Sequence, residues 1–405
     1  MTPMEPPAHS PDPAPLVLSA PRIPPSVLFA SFLRLGLTAF GGPAMVAYIR
    51  DLAVKKRQWL SQETFEDGTA LCQSIPGATA MQTAAYVGLR AGGPLGALAA
   101  FVGFGLPAFL LMVLLSAAYR QTRDLATVVA AFRGLHVLVI AIIANAAFDF
   151  GRKSIRNWRD AFIAAVAALF LGLHGNPMLM IAAAALLGLI LYRGLAPVTV
   201  PARAAEVSGP TAYGRFLLFF LLFLAIGLAA LALLDARLVR LAALMMKVDV
   251  FAFGGGFASI PLMLHEVVDR LHWLDAPTFL DGIALGQVTP GPIVITATFV
   301  GYQVAGLPGA LAGTVGIFAP SFVMGLLAVP QLDRLQHSAS VRRALRGALA
   351  SFIGLLVAVT VQFALAVPWS LPAVLLASAT FAALRLKVDI LWVVLAGALL
   401  SVFLL

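Results

Sequence analysis

Phe216 to Leu234 is a run of nineteen residues without one charged or strongly polar side chain. At a helical rise of about 1.5 Å per residue, such a run spans a hydrocarbon core of about 30 Å. Backbone polar groups in lipid must bond within the chain, so a spanning element is either a helix or part of a closed barrel. Long unbroken apolar runs, rather than two-residue alternation, select helix. With 61% of the residues hydrophobic and 11% charged, the expected class is an all-α polytopic membrane protein.

Six apolar segments precede that run: Ser26 to Tyr48, Thr64 to Leu89, Pro94 to Tyr119, Thr127 to Phe150, Trp158 to Leu173 and Met178 to Tyr192. Another six follow it: Leu238 to Leu264, Thr278 to Gln303, Leu307 to Val329, Val341 to Val367, Trp369 to Leu384 and Val388 to Leu405. About thirteen transmembrane segments are therefore expected, some of them broken or re-entrant. The expected domains are a disordered tail over 1–25, which holds nine prolines, a first membrane unit over 26–192, a linker over 193–241 containing the span 216–234, and a second unit over 242–405.

The two sets of six are copies. Shifting the second by 213 or 214 positions lays Ala252-Phe253-Gly254-Gly255 on Ala39-Phe40-Gly41-Gly42 and Arg346-Gly347 on Arg133-Gly134. From Trp59 to Gly77, eleven of nineteen positions match Trp273 to Gly291, where ordinary amino-acid usage predicts about one or two. Seven crossings between equivalent points would turn the second copy over, giving inverted-topology repeats. Loop charge supports this. Arg50, Lys55, Lys56 and Arg57 follow the first segment, whereas the matching loop sets Arg270 among Glu266, Asp269 and Asp275.

Pro76-Gly77 interrupts the second segment, and Pro290-Gly291-Pro292 interrupts its copy at the same place. Proline removes a backbone donor and glycine lets the chain leave helical geometry, so each segment should break within the membrane. The N–H groups after a break lack intrahelical partners and carry partial positive charge, which suits an anion; a packing kink is the alternative. Gly41-Gly42 and Gly254-Gly255-Gly256 make a second pair of breaks, for which close helix packing competes with ligand approach. Gln73, Thr79 and Gln287 flank the breaks, able either to donate to an oxyanion or to bond between helices. Trp59 and Trp273 read as interface anchors.

Asp67 and Asp281 match each other nine residues before the prolines. Each suits a coupling proton site, a helix cap at the interface, or an ion pair with the recurring Arg133 and Arg346. No phosphate-binding GxxxxGK[ST] loop, catalytic triad or metal-ligand spacing is present, so neither ATP hydrolysis, an enzyme, nor a cofactor is expected. The net charge of +9 clusters beside apolar segments as topogenic signals do, and nucleic acid is not an expected partner.

The ordered set Gly41-Gly42, Trp59 and Pro76-Gly77-Ala78, repeated as Gly254-Gly255, Trp273 and Pro290-Gly291-Pro292, resembles the chromate ion transporter family in its long two-domain form. The resemblance covers nearly all of Ser26 to Leu405. It implies a secondary transporter in the bacterial cytoplasmic membrane that expels chromate, driven by an ion gradient, and confers chromate resistance, with sulfate as a competitor. Its expected partners are a small inorganic oxyanion and the lipid bilayer, and a homodimer is compatible with it. A sulfate transporter and an anion channel are the alternatives. Ala78 departs from the pattern where its copy has Pro292, as does Pro43 where the copy has Gly256. Alternating access would arise as one unit rocks against the other.

Overall fold

The computed structural model describes residues 22–40, 44–193, 210–331 and 338–404, which excludes nearly all of the tail, Gly41, Gly42, and much of the linker. Every regular element among the described residues is helical. In the first unit these are α1 (Pro25–Thr38), α2 (Ala44–Arg50), α3 (Gln62–Ser74), α4 (Thr79–Thr122), α5 (Ala126–Ser154), α6 (Trp158–Gly172) and α7 (Pro177–Leu191). Helix α8 (Pro210–Leu234) connects them to α9 (Ala236–Phe251), α10 (Ser259–Met263), α11 (Ala276–Val288), α12 (Thr296–Ala328), α13 (Ala339–Ala366), α14 (Leu371–Arg385) and α15 (Ile390–Leu404). Among the described residues five helical stretches are long and apolar enough to cross a membrane, and the most apolar window of α8 is not buried in the protein at all. A multi-pass membrane protein is the class that results.

Helix starts are specified alike in both copies. The Ser61 hydroxyl accepts the Thr64 N–H at 3.1 Å, and at the matching place Asp275 accepts from Thr278 at 2.9 Å. Asn157 and Ser370 cap α6 and α14 in the same way, as do Asn176 and Asp389 for α7 and α15. Such caps satisfy N–H groups that the first helical turn leaves without partners.

Four contacts show that the apolar segments turn back on themselves. The Tyr86 hydroxyl donates to the Thr64 carbonyl at 3.0 Å, although 22 residues of straight helix would separate them by about 33 Å. Helix α3 and the first leg of α4 thus form a V whose apex is Pro76-Gly77. Next, α4 reverses at Gly93, bringing Gly88 against the Gly96 carbonyl. Its copy α12 reverses at Gly306, so that the Thr298 and Thr314 hydroxyls meet at 2.7 Å. Finally, Lys247 on α9 reaches the fully buried Glu266 beyond α10 at 2.7 Å, which folds that pair into a second V.

The two units exchange helices. Helices α6 and α7 pack on α13 of the second unit, while α14 and α15 pack on α5 of the first. Small residues permit the approach: a Cβ on Gly354 would lie 1.9 Å from the Ala164 carbonyl oxygen, and one on Gly347 2.0 Å from that of Ala184. Helices α4 and α12 pack together along the middle, with Phe101 edge-on to Phe318 and Phe322.

Candidate functional site

The apices of the V-shaped hairpins meet inside the protein, each against the other unit. The Gly77 N–H donates to the Ala252 carbonyl at 3.0 Å, and the Gly291 N–H donates to the Ala39 carbonyl at 2.9 Å. Ala39 and Ala252 are themselves matching residues, just before the paired glycines. Both apical glycines hold φ in the left-handed region, +110° at Gly77 and +117° at Gly291, which turns the N–H toward the other unit and disfavours any side chain. Pro76, Gly77, Thr79, Gly254 and Gly255 come together at one apex: a Cβ on Gly255 would lie 3.5 Å from the Thr79 hydroxyl. Pro290, Gly291, Pro292 and Gly256 come together at the other, where Gly256 faces Ile293. Gly41 and Gly42 lie outside the described residues.

Polar groups around the two apices differ. The Ala78 N–H donates to the Ser321 hydroxyl at 2.8 Å, which donates in turn to Asp249 Oδ1 at 2.9 Å. Asp249, Ser321 and Gln82 are all 0% exposed, and the Gln82 amide donates to the Pro76 carbonyl at 2.6 Å. At the second apex Pro292 has no N–H, Ala108 stands where Ser321 would, and Gly36 stands where Asp249 would. The three differences belong together: a donor from the first unit and its acceptor and the acceptor's anchor from the second are present at one apex and absent from the other. Gln287 is buried with its amide nitrogen lacking a partner among the described residues, whereas its match Gln73 is exposed.

The carboxylates and arginines do not pair as their recurrence suggests. Asp281 accepts from the Tyr119 hydroxyl at 2.7 Å and lies 2.6 Å from His136 Nε2, both of the first unit. Asp67, half-buried on α3, has no equivalent set among the described residues, where the position that matches His136 is occupied by the aliphatic Leu349. Arg346 instead grips the fully buried Asp160 through two nitrogens, at 3.0 and 2.9 Å, and stacks 4.6 Å over the Tyr192 ring. Arg133 is exposed. The physical reason is the helix exchange, which sets α13 beside α6 and α11 beside α5.

Sequence reasoning missed Asp249, Ser321, Tyr119, His136 and Asp160. A signal existed for Asp249, a carboxylate in an apolar run five positions before Gly254, since such a group within a membrane segment is costly unless it serves a purpose. Trp59 stacks on Phe32 at 6.4 Å, so it packs within the first unit. Chemically, the apices combine helix starts, hydroxyls and amides without a cationic side chain among the residues named, an arrangement able to hydrogen-bond an anion and release it.

Known proteins share the two-unit organisation. The family model described as chromate transporter matches twice, over residues 26–189 and 239–402. An uncharacterised transporter of Methanocaldococcus jannaschii is 44% identical over 382 residues, covering 92% of this chain and 93% of that protein. Chromate transport proteins of Pseudomonas aeruginosa and Cupriavidus metallidurans are 33% and 31% identical, covering 88% and 91% of this chain and 85% and 90% of theirs. No solved structure matches. With the family model matching both units, and chromate transport proteins aligning over most of its length, the chain belongs to the chromate transporter family.

Proposed function

We propose that this protein is a secondary transporter that moves chromate out across the bacterial cytoplasmic membrane, driven by an ion gradient, and so gives resistance. The observation that carries this is the reciprocal pair of apex bonds, Gly77 to Ala252 and Gly291 to Ala39, which sets the Pro-Gly apex of each unit against a helix end of the other. Helix starts directed at a common centre are the arrangement expected of a transporter's anion site. Chromate is named on the strength of the Pseudomonas and Cupriavidus relatives.

Inversion of the units is part of the proposal. Tyr119, in the last turns of α4, and His136 on α5 meet Asp281 near the start of α11. Arg346, near the start of α13, meets Asp160 at the start of α6. The exit end of each unit therefore lies beside the entry end of the other. The second legs of α4 and α12, with α5, α6, α7, α8, α13, α14 and α15, then cross the membrane, nine legs in place of the thirteen spans expected from hydropathy. The V-shaped hairpins dip in from either face without crossing. A swing of one whole unit would tear the exchanged helices from α5 and α13, whereas motion of the hairpins leaves that packing in place and breaks the apex bonds, with the Asp281 contacts to Tyr119 and His136 where α11 moves. The hairpins are the moving parts in this proposal.

Purified protein in liposomes tests it. Chromate should move when a membrane potential or a pH difference is imposed, and stop when both are collapsed. If neither chromate nor sulfate moves under any gradient, the proposed function fails. Cysteines placed at Gln62 and at the matching Ala276 should react with an impermeant reagent from opposite faces, the native Cys72 being buried. Reaction from one face would refute the inversion.

A further inference from the structure

Asp249 is fully buried beside the first apex, with Oδ1 bonded to Ser321 and Oδ2 without a partner among the described residues. Gln82 is buried as deeply, and among the same residues its Oε1 also lacks a partner. These groups close around Gly77: a Cβ there would lie 2.1 Å from Ser321 Oγ, 2.9 Å from Gln82 Nε2 and 3.2 Å from Asp249 Oδ1. An ionised Asp249 therefore supplies negative charge at the start of α4, the role the helix start otherwise offers to a bound anion.

Among the described residues no charged side chain bonds to Asp249: on its own helix Arg240 is exposed and Arg237 pairs with Asp235. Lys247 and Arg270 hold Glu266, and His265 lies 3.9 Å from Asp269. Helix α12 contains no Asp, Glu, Lys, Arg or His, and Arg215 of α8 has contacts of its own. From α4 the group presented is the neutral Gln82.

We propose that Asp249 is a proton-binding site that gates the first apex, so that an oxyanion occupies the start of α4 only when Asp249 is protonated. This rests on the proposed function, because it takes the apices as the oxyanion site. Two negative charges a few ångströms apart in a medium of low dielectric repel strongly, and a proton on Asp249 removes that cost. Protonated Asp249 also becomes a donor, and the Ser321 hydroxyl, no longer obliged to donate to a carboxylate, is able to turn toward the ligand. The proton enters from water on the side to which the site is open and returns to water when the anion leaves. The second apex, with Gly36, Ala108 and Pro292, has no such gate.

Sulfate is the discriminating probe because its charge is constant through the neutral range. The wild-type protein in detergent should take up a proton from weakly buffered solution as it binds sulfate. Its sulfate affinity should fall as pH rises, by up to about tenfold per unit, the limit for one linked proton. Asp249→Asn, neutral and of similar shape, should bind sulfate with little pH dependence and without proton uptake. Proton uptake retained in Asp249→Asn would overturn the proposal. So would its absence from the wild type, a measurement that decides even where the variant does not fold. A wild-type protein that binds neither sulfate nor chromate refutes the proposed function itself, a different outcome from binding without protons.

Discussion

The Ala78 N–H ends on the hydroxyl of Ser321, 2.8 Å away and 243 positions along the chain. The match of Ala78 is Pro292, which needs no acceptor, and Ser321 is matched by Ala108, which offers none. Ser321→Ala should therefore leave a buried donor unsatisfied and cost about 1–3 kcal/mol. Adding Ala78→Pro should recover part of that loss, because φ at Ala78 is −78° and suits the proline ring. A double-mutant cycle on thermal unfolding in detergent measures the coupling, and strict additivity would refute it.

Glycine at the apices is required for both shape and space. Gly77→Ala and Gly291→Ala each force a side chain into left-handed φ, at a cost of about 1–3 kcal/mol. The new methyl would also lie 2.1 Å from Ser321 Oγ or 2.7 Å from the Ala108 Cβ. Relief requires the apex to move away from Ala252 or Ala39, so chromate flux in liposomes should fall by about tenfold or more, the factor that 1.4 kcal/mol represents. Wild-type flux in either variant would remove the apices from the transport path.

Asp281 fastens α11 of one unit to α4 and α5 of the other. Tyr119→Phe removes a hydrogen bond to a charged group and should cost about 1.5–3 kcal/mol of stability. The same change made in Asp281→Asn should cost clearly less. Equal losses in the two backgrounds, measured by thermal unfolding, would mean that Tyr119 contributes through packing against Phe132 and Phe299 instead.

Arg346 is structural on this geometry, because its two-nitrogen grip on Asp160 lies away from the apices. Arg346→Ala strands a buried carboxylate and should cost about 3–5 kcal/mol. Arg346→Lys should recover only part of it, since an ammonium neither grips two oxygens nor stacks flat on Tyr192. Chromate flux per folded molecule should match the wild type in Arg346→Lys. A selective loss of flux there would return Arg346 to the coupling machinery.

Duplication, helix class and the positions of the breaks were legible because they depend on local composition and on self-similarity at a fixed offset. What the breaks do was not. Thr64 to Leu89 reads as one interrupted span, and it takes contacts such as the Tyr86 to Thr64 bond and the packing of Gly68 on the Tyr86 ring to show that the chain doubles back at Pro76-Gly77. Apolar periodicity is the same in a helix that continues and in one that reverses. Pairing of Arg346 with Asp160 spans 186 positions and joins residues of non-equivalent helices, so comparing one copy with the other points to the wrong partner. The Ala78, Ser321 and Asp249 differences are visible when the copies are aligned, but they acquire meaning only once three distant positions are seen to touch.

The exchange of helices bears on how the molecule is made. As the chain leaves the ribosome, α6 and α7 enter the membrane while α13, the surface on which they rest, is still untranslated. The small residues that let α13 approach so closely, Gly347 and Gly354, also arrive only after the whole first unit. Until then α6 and α7 have each other but not the helix they rest on, and the fold of the first half is completed by the second half rather than before it.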